Sequence, residues 1–374
     1  MNQPPPAAAG DPLAAVETPA IIVDLDAFEA NLARMADFAR TAGVKLRVHA
    51  KAHRCPAIAL RQIAAGAIGC CTQTVGEAEA MVAGGVRDVI VTNEVLAPTK
   101  LARLAKLAGG ARIGLLVDSE EGVAAASTAA REARIEFGIL VEIEVGMGRC
   151  GIAPGRPAAE LARRVADAPG LSFRGLQAYN GRAQHMARYV DRRDAVARAA
   201  GAVRETLEAL ATVGLTAEIV GGAGTGTYRF EAEHRLWTEF QVGSYAFMDR
   251  DYAAIEGEGG RPDPEYAHSL FILAEIVSAA GPDRAVADAG LKVLTTESGV
   301  PAVFSRPEIE VVGVSDEHSL LRLAPGRPPL RLRERVRLIP GHCDPTINLH
   351  DWIVAVRGDR VEEVWPVTAR GASR

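Results

Sequence analysis

PAIIVDLDAFEANLARMADFARTAGVKLRVHA (residues 19–50) sets the pattern that most of the chain repeats. Residues 19–25 form a short apolar run suited to a strand. Asp26 then opens a helical stretch that carries Phe28, Leu32, Met35 and Ala39 on one face. A second apolar run begins at residue 45. Further runs lie near 67–72, 89–92, 112–117, 138–145, 173–179, 217–220 and 239–247, separated by Ala-rich amphipathic stretches such as PTKLARLAKLA (98–108) and SEEGVAAASTAAREA (119–133). Eight buried-type strands with a helix between each pair predict an α/β fold, a parallel (β/α)8 barrel of the TIM type. A doubly wound open sheet is the alternative.

Past residue 255 the texture changes. GEGGRPDPEY (257–266) reads as a linker, and the rest of the chain is a series of short strands with Pro and Gly turns: LFILAEIVSAA, RAVADAG, IEVVGVS, RVRLIPG, DWIVAVR and RVEEVWPV. The expected organisation is a barrel over 26–250 and a C-terminal all-β domain over 255–374, joined by the N-terminal strand 16–25. The Pro- and Ala-rich residues before that strand read as a mobile tail.

The chain has 374 residues, is 48% hydrophobic and 24% charged, and carries a formal net charge of −5. That balance gives no electrostatic reason to expect nucleic acid or an anionic membrane as partner. Neither a secretory signal nor an apolar run long enough to span a bilayer is legible. The five cysteines, Cys55, Cys70, Cys71, Cys150 and Cys343, are scattered without a CxxC pair, so reduced thiols in a cytoplasmic protein are expected. Lysine is scarce, with Lys45, Lys51, Lys100, Lys106 and Lys292 the whole set. A lysine at a special place is therefore worth noticing.

Lys51 lies in RVHAKAH (47–53), at the end of the first barrel strand, where this architecture carries its catalytic groups. On an extended backbone it alternates with His49 and His53, and an amine there can form a Schiff base with a carbonyl cofactor. A lysine at a strand end is by itself more often merely solvated, and lone histidines are more often structural. Two features favour chemistry. GGAGTGT (221–227) follows the seventh strand, where barrels bind phosphate through backbone N–H groups, and GMGRCG (146–151) brings Arg149 to the same rim. Lys51, Arg149, Tyr179 and the 221–227 loop thus converge on one mouth, which points to a phosphorylated aldehyde cofactor.

TPAIIVDLDAFEANL (18–32), HAKAH, GMGRCG, LQAYNG (176–181), GGAGTGT and QVGSYAFMD (241–249) together resemble the D-threonine aldolase and D-serine dehydratase group, pyridoxal-phosphate enzymes with the alanine-racemase barrel. The resemblance runs from about Pro4 to Gly371. It implies that Lys51 holds pyridoxal 5'-phosphate, that Arg149 lies near the cofactor's ring oxygen, and that Tyr179 contacts the ring. It further implies that Gly222, Gly224, Thr225 and Gly226 bind the phosphate. Gln241 stands where alanine racemases place an arginine against the pyridine nitrogen, and Tyr245 of the same motif is a further cofactor-side candidate. Proteins of this fold type pair as homodimers.

PGHCDPT (340–346) is the second constellation. If extended, it points His342 and Asp344 to one face and Cys343 to the other, and a histidine with a carboxylate suits a divalent ion such as Mn2+ or Mg2+. H-x-D near a turn is otherwise a common surface pair. The resemblance weighs for the metal, because D-threonine aldolases carry H-x-D here and the eukaryotic-type D-serine dehydratases carry H-x-C with zinc. His185, in YNGRAQHM (179–186), matches a histidine that the family places near the metal and is the candidate base; Asp316 and His318 of SDEH are candidates for supporting it. Two departures from relatives are Thr74, where a lysine is usual, and a glycine loop one residue longer.

The expected activity is cleavage of a D-3-hydroxy amino acid, of D-threonine or D-allo-threonine type, to glycine and an aldehyde by a carbon–carbon lyase. Cleavage of 3-hydroxy-D-aspartate to glycine and glyoxylate and dehydration of D-serine are the competing reactions. A pyridoxal-phosphate-binding protein without turnover is the competing class, against which residues 255–374 and their H-x-D speak.

Overall fold

The computed structural model describes residues 3–262 and 264–374; Met1, Asn2 and Asp263, the last within the expected linker, lie outside the described residues. Strand β1 (Ala20–Asp24) leads into helix α1 (Leu25–Ala42). Asp24, not Asp26, caps α1, accepting from the Ala27 N–H at 3.2 Å, and Gly43 ends it at φ +70°. The face bearing Phe28, Leu32, Met35 and Ala39 is buried, as its 3.6-residue spacing predicts.

Eight strands then close into a parallel barrel: β2 (Lys45–His49), β3 (Gly69–Thr72), β4 (Asp88–Glu94), β5 (Arg112–Val117), β6 (Phe137–Glu142), β7 (Leu171–Ala178), β8 (Ile219–Gly222) and β9 (Glu239–Phe240). Between them run α2 (Pro56–Ala64), α3 (Val75–Ala83), α4 (Pro98–Leu107), α5 (Glu120–Ala133), α6 (Arg156–Asp167), α7 (Gly181–Gln184), α8 (Tyr189–Thr212) and α9 (Tyr228–His234), and α10 (Arg250–Ala253) comes after β9. The barrel is closed by β9 pairing with both β8 and β2. Its interior is filled by Cys71, Ile90, Leu116, Leu140 and Ile219. At the N-terminal end the buried Arg47 binds Glu239 at 2.7 Å and Asp88 at 2.5 Å, which plugs that mouth with a satisfied ion network. Gly175 has no alternative: a Cβ there would lie 1.8 Å from the Ile219 carbonyl oxygen.

The remaining strands are β10 (Leu270–Ser278), β11 (Arg284–Ala287), β12 (Ala302–Val303), β13 (Ile309–Val314), β14 (Ser319–Leu323), β15 (Arg335–Ile339), β16 (Trp352–Arg357) and β17 (Arg360–Pro366). With β1 they form one sheet in the order β13-β14-β11-β10-β1-β16-β17, and β15 pairs with β10 and β12. The N-terminal strand thus sits between two strands from the far end of the chain, antiparallel to β10 and parallel to β16. A short helix, α11 (Cys343–Ile347), interrupts this sheet-forming region.

One expectation is corrected here. The segment before β1 is not a loose tail: Gly10 N–H donates to Val361 O at 2.8 Å, Trp352 Nε1 donates to Gln3 O at 3.0 Å, and Val16 is buried. Thr74, one of the departures from relatives, has a local structural role. Its hydroxyl accepts from the Glu77 N–H at 3.2 Å, capping α3, and donates to Ala372 O at 2.6 Å.

Candidate active site

The C-terminal ends of the barrel strands face the β domain, and Lys51 stands where they meet. It does not continue β2. Residues 50–52 form a 3-10 turn, so the even alternation expected for His49, Lys51 and His53 is broken. Both histidines are buried and neutral. His49 donates from Nε2 to Thr92 Oγ1 at 3.0 Å and accepts the Lys51 N–H on Nδ1 at 3.4 Å. His53 donates from Nε2 to Gln62 Oε1 at 3.2 Å. Burial holds His49 well below the usual histidine range, helped by Lys51, and lowers His53 to about 4.

The Lys51 side chain reaches the mouth and places Nζ 2.5 Å from Asp344 Oδ2. Burial opposes its charge, but Asp344 outweighs this and holds the ammonium above the usual lysine range. Asp344 in turn lies below the usual carboxylate range: burial would raise it, and Lys51 and His342 prevail.

The glycine loop runs from the end of β8 to the start of α9. Gly224 and Gly226 press on Gln184, so that a Cβ at either would lie 2.4 Å from a Gln184 oxygen. Gly226 N–H donates to Gln184 Oε1 at 3.0 Å. Thr225 is buried and its Oγ1 accepts the Tyr245 N–H at 3.0 Å. Ala223, within the loop, sits at φ +62°. Tyr245 thus touches the loop through its backbone, while its hydroxyl turns inward to accept from Gln62 Nε2 at 3.3 Å. Gln241 is engaged by Gln177 in a reciprocal amide pair of 2.7 and 2.8 Å beneath the glycine at 221.

Arg149, half-exposed at the rim, lies 3.5 Å from Glu142 Oε1. Glu142 is a buried carboxyl at the end of β6 that the sequence reading missed; burial and the neighbouring Glu94 push it up to about 8 in spite of Arg149. Tyr179, just past β7, neighbours Lys51 electrostatically and is pushed up by burial.

His342 and Asp344 do come together, though not through an extended strand. His342 is the residue before α11, and the first turn of that helix brings Asp344 Oδ1 to 3.9 Å from His342 Nε2. Cys343 does not face away: its buried Sγ lies 3.4 Å from Asp344 Oδ1. His342 Nδ1 donates to Asp249 Oδ2 at 2.8 Å. Asp249 was also missed, although it ends the QVGSYAFMD motif. The His185 ring packs at 6.0 Å from that of His342, and its Nδ1 donates to Asp251. Asp316 and His318 are exposed in the β13–β14 turn, with no hydrogen bond to His342 or Asp344 among the described residues.

The donor sets fit the two groups expected here. An amine at the mouth and a loop with no room for a Cβ suit pyridoxal phosphate, whose aldehyde needs a lysine and whose phosphate needs close backbone approach. Two ligand atoms 3.9 Å apart suit one ion at ordinary bond lengths of about 2.0–2.2 Å. Ligand atoms of Asp249, His342 and Cys343 also lie within 4.8 Å of one another. Asp249 is the weaker ligand of these, because its oxygens already accept three hydrogen bonds.

Family models match both parts of the chain: the alanine racemase N-terminal domain over residues 23–251 and a putative serine dehydratase domain over residues 269–356. The chain is 44% identical to a D-threonine aldolase of Arthrobacter sp, covering 99% of this chain and 97% of that protein. It is also 44% identical to a 3-hydroxy-D-aspartate aldolase of Paracoccus denitrificans, covering 98% and 95%. The crystal structure of D-threonine aldolase from Filomicrobium marinum matches with a TM-score of 0.95 at 47% identity, over 99% of this chain and 100% of that one.

Proposed function

The chain belongs to the family of alanine-racemase-fold enzymes that includes the D-threonine and 3-hydroxy-D-aspartate aldolases, and from this we propose that it cleaves a D-3-hydroxy amino acid to glycine and an aldehyde. The observation that carries the reading is the meeting of Lys51 with the His342–Asp344 pair at one mouth, 2.5 Å from Nζ to Oδ2. An amine for a carbonyl cofactor and a ligand pair for a divalent ion together meet the needs of this cleavage.

Lys51 is the residue that would hold pyridoxal phosphate, with the 222–226 loop around its phosphate and Tyr179 and Arg149 beside its ring. When bound, that cofactor supplies the electron sink for the charge left on Cα as the Cα–Cβ bond breaks. His342 and Asp344 would hold Mn2+ or Mg2+, which lowers the pKa of a 3-hydroxyl. His185 is the proton acceptor: with Nδ1–H given to Asp251, its Nε2 carries the lone pair, and its ring lies 6.0 Å from that of His342. Glu142 holds Arg149 at the rim.

Side chains of threonine type and the carboxylate of 3-hydroxyaspartate are the two substrate classes favoured, in line with the two aldolases at equal identity. We read the enzyme as a cytoplasmic homodimer with no nucleic-acid or membrane partner. Its cysteines are free among the described residues, and no described helix is long and apolar enough to cross a membrane.

The test is glycine release by the cofactor-loaded protein from D-threonine, 3-hydroxy-D-aspartate and D-serine, before and after EDTA and with Mn2+ or Mg2+ restored. EDTA-sensitive glycine release is expected, and its rates rank the aldehydes. Pyruvate from D-serine with no glycine from the others overturns the aldolase in favour of a dehydratase. Visible cofactor absorption without any turnover leaves a binding protein.

A further inference from the structure

We propose that Asp249 and Asp251, two carboxylates on one turn at the start of α10, are the positioning residues that fix the ring orientation and tautomer of His342 and His185. The inference rests on the metal and base roles given to those histidines above. Asp249 is fully buried, and Met248 before it takes φ +52°, which turns the chain into the helix. Its Oδ1 accepts the Tyr252 N–H at 3.0 Å, the ordinary work of a helix cap. Its Oδ2 accepts both His342 Nδ1–H at 2.8 Å and the Cys343 N–H at 3.0 Å. That oxygen therefore clamps the H-x-D segment, 93 residues further on, to the end of the barrel.

The clamp is reinforced by the backbone. Arg250 N–H donates to Pro340 O at 3.1 Å and Asp251 N–H to Gly341 O at 3.2 Å, so α10 is pinned along the residues that lead into His342. Asp251 then receives Nδ1–H of His185. The Tyr252 ring completes the cradle, 5.3 Å from that of His185 and 6.2 Å from that of His342. The two imidazoles stand nearly perpendicular, at 86°.

A carboxylate only accepts hydrogen bonds, so each ring must carry its proton on Nδ1 when neutral. Each Nε2 is then left with a lone pair. For His342 that atom lies 3.9 Å from Asp344 Oδ1, where a shared ion would sit. For His185 the same atom is the one available to take a proton. One short segment thus sets two different jobs, and it does so by the carboxylate–histidine–metal logic in which outer partners orient the ligands.

The experiment uses the full-length, cofactor-loaded protein with Mn2+ alone as probe. Long-range 1H–15N spectra of the ion-free protein, followed to a pH at which each ring is neutral, should show the neutral rings protonated on Nδ1, and a neutral ring protonated on Nε2 instead overturns the proposal with no variant needed. D249A removes both oxygens, and with them the acceptor of His342 Nδ1–H and the Cys343 N–H. Its Mn2+ dissociation constant, read by calorimetry, should rise roughly 10–100-fold with the cofactor's absorption retained. D251A, which leaves His185 Nδ1–H without its acceptor, should keep the Mn2+ constant of the unaltered protein but lower kcat roughly 10–100-fold with little change in KM. Unchanged Mn2+ binding in D249A, or unchanged kcat in D251A, sinks the positioning role. If the unaltered protein binds no Mn2+, the metal assignment fails instead, and the spectra still decide the tautomers.

Discussion

Lys51 Nζ and Asp344 Oδ2 lie 2.5 Å apart, so the lysine at the end of the first barrel strand and the acid of the H-x-D segment form one ion pair across 293 residues of chain. Neither is idle in the paired state. Asp344 keeps the lysine charged, and a charged amine is not a nucleophile. A cation held by the Asp344 carboxylate would take away that support and make the Lys51 proton easier to lose. Lys51→Ala should therefore lose both the visible cofactor absorption and glycine release. Asp344→Ala should keep the absorption, take up added pyridoxal phosphate faster than the unaltered protein, and lose EDTA-sensitive cleavage. Slower uptake in Asp344→Ala would contradict the pairing argument.

His185 gives a second prediction. Its ring is held by Asp251 and packs on Tyr252 and His342, yet it is far from buried. His185→Asn should therefore fold normally, keep cofactor absorption and Mn2+ affinity, and lose roughly 10²–10⁴-fold in kcat, the usual worth of a positioned base. Stopped-flow rates alongside the spectrum separate the outcomes; normal turnover removes His185 from the chemistry.

Distance along the chain decides which parts of this site the sequence discloses and which it hides. The barrel is legible because each strand and helix carries its own period, and Lys51 is legible because a strand end is a local feature. The 3-10 turn at 50–52 is not, since HAKAH reads equally well as extended. Nor is α11: CDPTI is a five-residue helix whose proline suggests a turn. The strands β12 and β14 escaped because one has two residues and the other lies beside a charged turn. Asp249 and Asp251 were missed although they stand at the close of a quoted motif. Their partners lie 93 and 66 residues away, and nothing local marks an acid near a helix start as more than a cap. The sequence signal that could have found them is the D-x-D spacing (249–251) that begins on the motif's last residue.

Two glycines make a matched test of the phosphate loop. Gly226 has the Gln184 carbonyl oxygen 2.4 Å from where a Cβ would be, a backbone atom that cannot step aside. Gly226→Ala should cost about 1–3 kcal/mol of stability by overpacking and weaken cofactor retention on dialysis. Gly201, exposed within α8, has nothing within 4 Å of its Cβ position. Gly201→Ala should gain about 0.5–1 kcal/mol and leave cofactor binding untouched. Urea unfolding with the cofactor's absorption followed in parallel reads both effects.

Acid should destabilise the protein through its buried histidines. His53 and His350 are both lowered to about 4 by burial, from an ordinary value of about 6.5. The unfolded chain therefore binds protons below about pH 6.5, and the native state does so only at about 4. The stability contributed by the neutral rings is complete above 6.5 and is lost as pH falls through that window, about 2 kcal/mol for each ring by pH 5. Glu142 runs the opposite way. Raised to about 8, it stabilises at low pH and loses that contribution as pH rises from about 4.5 through 8. The quantity to read is therefore a difference between proteins rather than one slope. His350→Gln can still donate to Val293 O, which His350 Nε2 reaches at 2.7 Å, but it cannot take up a proton. Between pH 7 and pH 5 its unfolding free energy should fall by about 2 kcal/mol less than that of the unaltered protein. Equal falls would mean that His350 is protonated in the native state, and the burial argument for it would be wrong.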